Sequence, residues 1–193
     1  MLLLLRTNHH RKHQWDGWIS PNSVTDPGNY LENPPANFSG EVIVSDTDHL
    51  CGHTCGDNIW VWKSFTRGLN VLFMEELTPS PTWHDSARIA VGQTRRFAER
   101  INLTEMTPHD ALASTQYCLA QPGFEYLVFQ PGGRGEFTVN LNDAKGSFSV
   151  EWFDVNAGKT VPGKAVSGGE RRIFQTPFPG PAAVYLKRAG DPQ

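Results

Sequence analysis

The chain has 193 residues, enough for one sizeable domain or for two small ones. Hydrophobic residues make up 38% of it and aromatic residues 11%, which supports packed cores and excludes a disordered protein. The net charge is −3, and the basic residues are scattered apart from a short cluster at 9–13, so we expect no nucleic-acid partner.

The first 40 residues contain a short apolar run and a long segment, 14–40, without helical or strand periodicity. The apolar run MLLLL at 1–5 is shorter than the roughly 7–15 residues of a signal-peptide core, and basic residues follow it instead of preceding it. We interpret it as the tail of a strand or helix rather than as a signal peptide. No stretch approaches the ~20 apolar residues of a membrane span, so we expect no membrane partner. Residues 14–40 are rich in Pro, Gly and Asn, which predicts an irregular loop.

Two short apolar runs, EVIVSD at 41–46 and LNVLFMEE at 69–76, predict buried strands. The segment between them predicts a helix that Asp57 caps at its start and Gly68 ends. A helical crossover of this length implies that the two strands are parallel, adjacent and buried on both faces.

A second helix is predicted from Ser86 to Ile101, with Asp85 as its N-cap. Small and apolar side chains fall on one face and charged side chains on the other, so the helix should pack along one stripe. The apolar face comprises Ala87, Ala90, Val91, Thr94, Phe97, Ala98 and Ile101. The charged face comprises Arg88, Arg95, Arg96, Glu99 and Arg100.

The pattern changes near residue 110. Seven short extended runs follow, most of them separated by clusters of Gly, Pro, Asn or Asp, and several alternate apolar and polar residues. The runs are 115–121, 124–130, 136–141, 147–154, 159–166, 171–176 and 182–188. They predict half-buried antiparallel strands in a β-sandwich, with PGGRG at 131–135 as a hairpin turn. The predicted fold is therefore α+β and multidomain: an incomplete α/β unit over 1–110 and a β-sandwich over 111–193.

The stretch 43–58 is crowded with residues that bind metals. Imidazole and thiolate groups suit Zn²⁺, but structural zinc sites usually combine two ligand pairs. Only His84 or His109 could complete a set, and nothing in the sequence orients them. The ligand candidates are His49, Cys51, His53 and Cys55, with Asp46, Asp48 and Asp57 beside them. We expect no metal and no cofactor here, and interpret the cysteines as partly buried thiols or one local disulfide.

The same stretch can also be interpreted as an acid site. Ligands of parallel α/β folds bind at the carboxyl ends of the strands, where Asp46 and Glu75 stand. If the chain stays extended after Asp46, the carboxylate of Asp48 points to the same side. Paired carboxylates are the groups that glycoside hydrolysis needs. The competing interpretation is that these acids only cap helices or bind loop backbone.

Tryptophan is frequent. Trp60 and Trp62 fall in the predicted first helix and should be core residues. Trp15, Trp18 and Trp83 lie in predicted loops and are the candidates for stacking on a sugar, although packing of the loops is an equal alternative.

Several segments resemble the C-terminal end of bacterial glycoside-hydrolase-like (β/α)₈ barrel proteins, which have apiosidase-like relatives. The segments are VIVSDTDHL, GDNIWVWKSFTRGLNVLFMEE, ARIAVGQTRRFAERINLTEMTP, LASTQYCLAQPGFEYLVFQP and VEWFDVNAGK. The resemblance spans about 40 to 188. Those proteins carry a terminal β-sandwich labelled a collagen-binding domain. Members tend to have Trp-Gly and Gly-Gly pairs where this chain has Cys51-Gly52 and Cys55-Gly56. The cysteines are therefore not expected to be part of the family's machinery.

The resemblance implies that 41–46 and 69–76 are the last two barrel strands and that 86–101 is the closing helix. One catalytic carboxylate would be Asp46, or less favourably Asp48, with His49 in support and the partner acid on a strand that this chain does not contain. The full-length family is expected outside the cytoplasm, whereas the compartment of this chain is undetermined.

Two functions follow from the sequence. In the first, the chain is the C-terminal portion of a carbohydrate-active hydrolase and is inactive alone. In the second, it is a non-catalytic module that binds a polysaccharide, another glycan or a collagen-like matrix. With the remainder of a barrel missing, strand 41–46 is expected to be an exposed edge, which favours self-association.

Overall fold

A computed structural model describes residues 18–21, 30–38, 40–51, 55–74 and 84–190. The predicted α+β class is confirmed, because the described residues are mostly antiparallel sheet with few helices. The apolar run at 1–5 lies outside the described residues.

A three-stranded parallel sheet opens the fold. Its strands are β1 (Trp18–Ile19), β2 (Val42–Asp46) and β3 (Asn70–Leu72), in that order. The predicted parallel pairing of the two apolar runs is confirmed, because Val44 pairs with Asn70 and Asp46 with Leu72. The two-residue strand β1 falls within the predicted irregular loop and pairs with the start of β2. As a result β2 is the middle strand, and the expectation of an exposed edge at 41–46 is wrong.

The parallel sheet is buried on one face only. Ile43 and Ser45 of β2 are buried, whereas Val42 on the opposite face is 50% exposed. Leu72 and Met74 are 43% and 45% exposed. The prediction that these strands are buried on both faces is therefore wrong. The reason is that, among the described residues, the helices pack against a single face of this sheet.

The described residues include three α-helices. Helices α1 (Thr47–Cys51) and α2 (Asn58–Thr66) connect β2 to β3, and α3 (Asp85–Ala98) follows β3. The predicted start of α2 is confirmed, since the Asp57 carboxylate accepts a hydrogen bond of 2.8 Å from the Trp60 amide. Its predicted end is confirmed too. Gly68 has a φ of 72°, which lets the Leu69 amide donate to the Ser64 carbonyl at 2.9 Å. In the described part of the chain, no helix has the length and apolar character to cross a membrane.

Helix α3 presents its predicted apolar stripe to the core, including Ala87, Ala90 and Phe97. Asp85 is the first residue of α3 and pairs with Arg88, so its predicted role as the N-cap is wrong; His84 precedes the helix. Gln93 is also on the buried side and is only 1% exposed. A polar residue gives no apolar signal, so the sequence pattern could not place it there.

The remaining strands are antiparallel to their partners. They are β4 (Thr107–Pro108), β5 (Cys118–Gln121), β6 (Glu125–Gln130), β7 (Glu136–Asn140), β8 (Ser147–Asp154), β9 (Lys159–Ser167), β10 (Arg171–Gln175) and β11 (Ala182–Arg188). A six-stranded sheet has the order β4-β5-β6-β11-β8-β9, and a two-stranded sheet contains β10 and β7. All seven predicted strands are confirmed, and β4 is the addition.

The prediction of a hairpin at 131–135 is wrong. This segment joins β6 to β7, but the two strands belong to different sheets, with β6 between β5 and β11 and β7 beside β10. Glycine and proline predict that the chain turns, but not which strand it will pair with afterwards. That choice is made by the apolar face of β7, whose Phe137 and Val139 pack against the six-stranded sheet.

The six-stranded sheet is covered on both faces. One face packs against the helices, through Trp62, Phe129 and Phe153. The other face packs against the two-stranded sheet, through Trp152 and Phe174. Strands β6 and β11 are therefore buried on both sides instead of being half-buried as predicted. Trp60 and Trp62 are 2% and 0% exposed, which confirms them as core residues.

A partly buried ion pair joins the end of α2 to the antiparallel region. Arg67 donates to the Asp110 carboxylate at 2.7 Å, and its guanidinium lies 4.8 Å from the centre of the Tyr117 ring. The Tyr117 hydroxyl in turn donates to Asn33 at 2.8 Å. Removing one partner of such a pair costs more than the pair itself contributes, because it leaves a buried charge without compensation.

We predict that Gln93→Ala lowers the free energy of unfolding by about 2–4 kcal/mol, since it deletes two buried hydrogen bonds and leaves a cavity. Gln93 accepts from the Trp62 indole at 3.0 Å and donates to the Val155 carbonyl at 2.8 Å. Chemical denaturation measures the change. Arg96→Ala, on the exposed side of the same helix, is the control and should change the value by less than about 0.5 kcal/mol. Equal effects of the two variants would contradict a stabilising role of the two Gln93 hydrogen bonds.

We also predict that His109 contributes to acid sensitivity. Burial lowers the pKa of His109 below its ordinary value of 6.5, and the nearby Asp110 only partly opposes this effect. The unfolded chain therefore binds more protons, and stability falls as the pH drops from about 6.5 through the folded-state pKa. His109→Gln should flatten this part of the stability-against-pH curve measured by denaturation. Parallel curves for variant and wild type would contradict the prediction.

Candidate functional site

The carboxyl ends of the three parallel strands meet at one edge of the sheet. Ser20 follows β1, Asp46 ends β2, and Met74 stands just after β3. The Met74 amide donates to the hydroxyl of Thr47 at 3.0 Å, which ties the end of β3 to the start of α1. This carboxyl edge is where ligands of parallel α/β folds bind.

The edge brings together a hydroxyl, an imidazole and two carboxylates. The Ser20 Oγ and the His49 Nδ1 share a hydrogen bond of 2.7 Å. Asp46 is half-buried, whereas Asp48 and His49 are exposed. Ser20 was not a predicted site residue, because it lies in a segment without periodicity, and only its neighbour β1 brings it to the edge.

The chain does not stay extended after Asp46. Helix α1 begins at Thr47, and the Asp48 amide donates to the Asp46 Oδ1 at 3.0 Å. The expectation that Asp46 and Asp48 point to the same side of an extended chain is therefore wrong. The physical reason is that Asp46 acts as the N-cap of α1, so that the backbone turns into a helix instead of continuing the strand.

Capping uses one carboxylate oxygen of Asp46 and leaves its charge in place. The cap therefore orients this carboxylate at the end of β2 without preventing it from accepting hydrogen bonds from a ligand. Together with the exposed Asp48 and His49, it gives the edge the acceptors and donors that sugar hydroxyls require.

Cys51 and Cys55 form a disulfide beside this edge, and Cys118 is a buried free thiol. Of the two alternatives that the sequence left open, the local disulfide is the one observed. Two residues of the metal hypothesis are thus bonded to each other, and His53 lies outside the described residues. Within the described ranges no group of three or more His, Cys, Asp or Glu side chains is arranged to hold a metal.

The structure does not describe the side chains of the other predicted site residues. Trp15, Glu75 and Trp83 lie outside the described residues, and Trp18 is described only through its backbone in β1. Whether they contact a sugar stays a prediction.

Comparison with solved structures indicates the fold class. One similar structure is a glycoside hydrolase, with a TM-score of 0.56 and 10% identity over 84% of this chain and 46% of that one. Another is a family 5 glycoside hydrolase from Bacteroides vulgatus ATCC 8482, with a TM-score of 0.54 and 11% identity over 80% of this chain and 43% of that one. The chain thus has a glycoside-hydrolase-like fold and spans less than half the length of either structure. No protein-family model and no curated protein matches it.

We predict that the cap and the charge of Asp46 can be separated by substitution. Asp46→Ala should lower the free energy of unfolding by about 1 kcal/mol, because the cap of α1 is lost. Asp46→Asn should leave stability nearly unchanged, since asparagine caps helices as well as aspartate does. Thermal or chemical unfolding measures both. If Asp46→Asn destabilised the protein as much as Asp46→Ala, the carboxylate charge and not the cap would be the structural contribution.

Proposed function

We propose that the chain is the C-terminal portion of a carbohydrate-active hydrolase. In this proposal the parallel sheet and its helices are the last part of a (β/α) barrel, and residues 111–193 are an ancillary β-sandwich. Asp46 supplies one carboxylate of an acid site whose partner acid lies elsewhere, so the chain is inactive alone.

The observation that carries the proposal is the position of Asp46. It ends the middle strand of a sheet in which β1, β2 and β3 are parallel and follow the order of the sequence. Parallel strands in sequential order, with a helix in the connection, are the repeating unit of (β/α) barrels. The glycoside-hydrolase-like fold of the similar structures supports the same assignment.

The exposed face of the parallel sheet also supports it. Parallel sheets are normally covered on both faces. Val42, Leu72 and Met74 are exposed on the side opposite the helices, where the interior of a complete barrel would lie. The Asp46 carboxylate can bind a sugar hydroxyl. Glycoside hydrolysis needs two carboxyl groups, one as the acid and one as the base or nucleophile, and Asp46 can supply only one of them.

A second candidate function is a non-catalytic module that binds a glycan or a collagen-like matrix. The packing of the antiparallel region favours this second function. Its six-stranded sheet is covered on both faces, whereas the parallel sheet is covered on one. The two candidates predict different locations for a bound glycan: the Asp46 edge in the first, and the surface of 111–193 in the second.

A glycan array probed with the whole chain and with Asp46→Asn tests the two candidates. The hydrolase proposal predicts that Asp46→Asn weakens binding about tenfold, because a hydrogen bond to a charged acceptor is lost. Glu105→Gln, which removes an exposed carboxylate elsewhere, is the control and should bind like the wild type. Binding that survives in Asp46→Asn favours the module. An array without any bound glycan contradicts the hydrolase proposal and the glycan-binding form of the module.

The hydrolase proposal also predicts no turnover of aryl glycosides by the chain alone. Turnover that Asp46→Asn abolishes would show that this chain holds a complete acid pair, which contradicts the half-site.

A further inference from the structure

The two-stranded sheet has one open edge. On the β7 side, Ala113 bridges to Val139, and the Ser114 amide donates to the Thr138 carbonyl at 3.0 Å. The Thr138 amide donates in return to the Ser114 hydroxyl at 2.9 Å. On the β10 side, none of the described residues forms a strand partner. An edge of this kind presents unpaired backbone groups.

The register shows which backbone groups of β10 point to the open edge. Ile173 stands opposite Thr138, whose amide and carbonyl face Ser114 and therefore point away from β10. Opposed residues of an antiparallel pair either exchange both hydrogen bonds or point both groups outward. The amide and carbonyl of Ile173 consequently face the open edge, together with those of Arg171 and Gln175.

The side chains beside this edge are unusual for a solvated strand. Ile173 is 68% exposed, the highest value among the exposed large apolar residues of the described chain. A cleft of about 440 Å³ lies between β10 and the facing edge strand β9, and Lys164, Arg171 and Arg172 contribute to its lining. Arg172 pairs with Glu170 at 2.6 Å, whereas Lys164 and Arg171 form no ion pair with any described residue. The cleft is therefore positively charged.

Strand β9 borders the same cleft but carries protective features. It contains Pro162, which cannot donate a backbone hydrogen bond, and its pairing with β8 is irregular between Phe148 and Val150. Proline and bulges are the common means of preventing a sheet edge from pairing further. Strand β10 has neither a proline nor a bulge, so its edge is better suited than that of β9 to pair with a further strand.

We propose that the edge of β10 binds an extended acidic segment of another protein, which adds to the two-stranded sheet as a third strand. Backbone hydrogen bonds to Arg171, Ile173 and Gln175 hold the segment, an apolar residue of the segment covers Ile173, and its carboxylates pair with Lys164 and Arg171. This proposal does not depend on the proposed hydrolase function.

A second copy of this chain is a poorer occupant. Two copies meeting through β10 would bring two sets of Lys164, Arg171 and Arg172 into one region. Like charges at a strand pairing are destabilising, whereas an acidic segment complements them.

The probe for the test is a short, capped, fluorescein-labelled peptide that alternates glutamate with valine. A peptide that alternates lysine with valine is the matched control. With the full chain at low ionic strength, anisotropy should show that the acidic peptide binds at least about tenfold more tightly than the basic one. Hydrogen exchange should slow at the Ile173 amide when the acidic peptide is present. Equal binding of the two peptides, or unchanged exchange at Ile173, would overturn the proposal.

Variants locate the site. Lys164→Glu should weaken binding of the acidic peptide by about three- to tenfold, whereas Lys159→Glu, on the same strand but outside the cleft, should stay within about twofold. Ile173→Pro removes the outward amide and should weaken binding about tenfold or more, and Ile173→Thr, which keeps it, should retain more affinity. Thermal unfolding checks that each variant folds.

If Ile173→Pro does not fold, the comparison of Lys164→Glu with Lys159→Glu still tests the proposal. Equal effects of Lys164→Glu and Lys159→Glu would overturn the proposal. So would sedimentation that reveals a dimer of the wild-type chain with the Ile173 amide protected in the absence of peptide, because the occupant would then be a second copy.

Discussion

The packing of Trp62 is the interaction on which the rest of the structure depends. Its ring lies between helix α2 and the six-stranded sheet, with centroids 5.3 to 5.8 Å from the rings of Phe97, Phe129 and Phe153. A buried indole must also find an acceptor for its N–H, and Gln93 supplies it. One side chain thus joins both long helices to the antiparallel sheet, and it fixes the position of the parallel strands that flank α2.

This packing reverses the usual distribution of buried faces. Antiparallel sheets can leave one face in water, whereas parallel sheets are normally covered on both. Here the six-stranded antiparallel sheet has both faces covered, and the parallel sheet has one face exposed at Val42 and Leu72. The described helices pack against the covered face of the parallel sheet and, through Trp62 and Phe97, against Phe153 of the antiparallel sheet. Among the described residues, no element covers that second face of the parallel sheet.

The Asp46 carboxylate has a structural role that is compatible with the chemical role proposed for it. As the N-cap of α1 it ends β2 and fixes the position where the helix begins. The same contact holds its charge at the carboxyl edge of the sheet, beside the hydrogen-bonded Ser20 and His49. A cap is thus a means of orienting a functional carboxylate, and the two interpretations of this aspartate do not exclude each other.

The sequence by itself determined the elements whose signals are local. Strands β5 to β11 follow from alternation and turn residues, and both ends of α2 follow from Asp57 and Gly68. Only the tertiary structure decided what depends on distant partners: the burial of Gln93, the placement of β6 and β7 in different sheets, and the contact of Ser20 with His49. A local pattern indicates which secondary structure a segment adopts and which of its faces is buried. The partner that covers that face is chosen by packing across the whole chain, so the core of the candidate site is visible only once the strands have assembled.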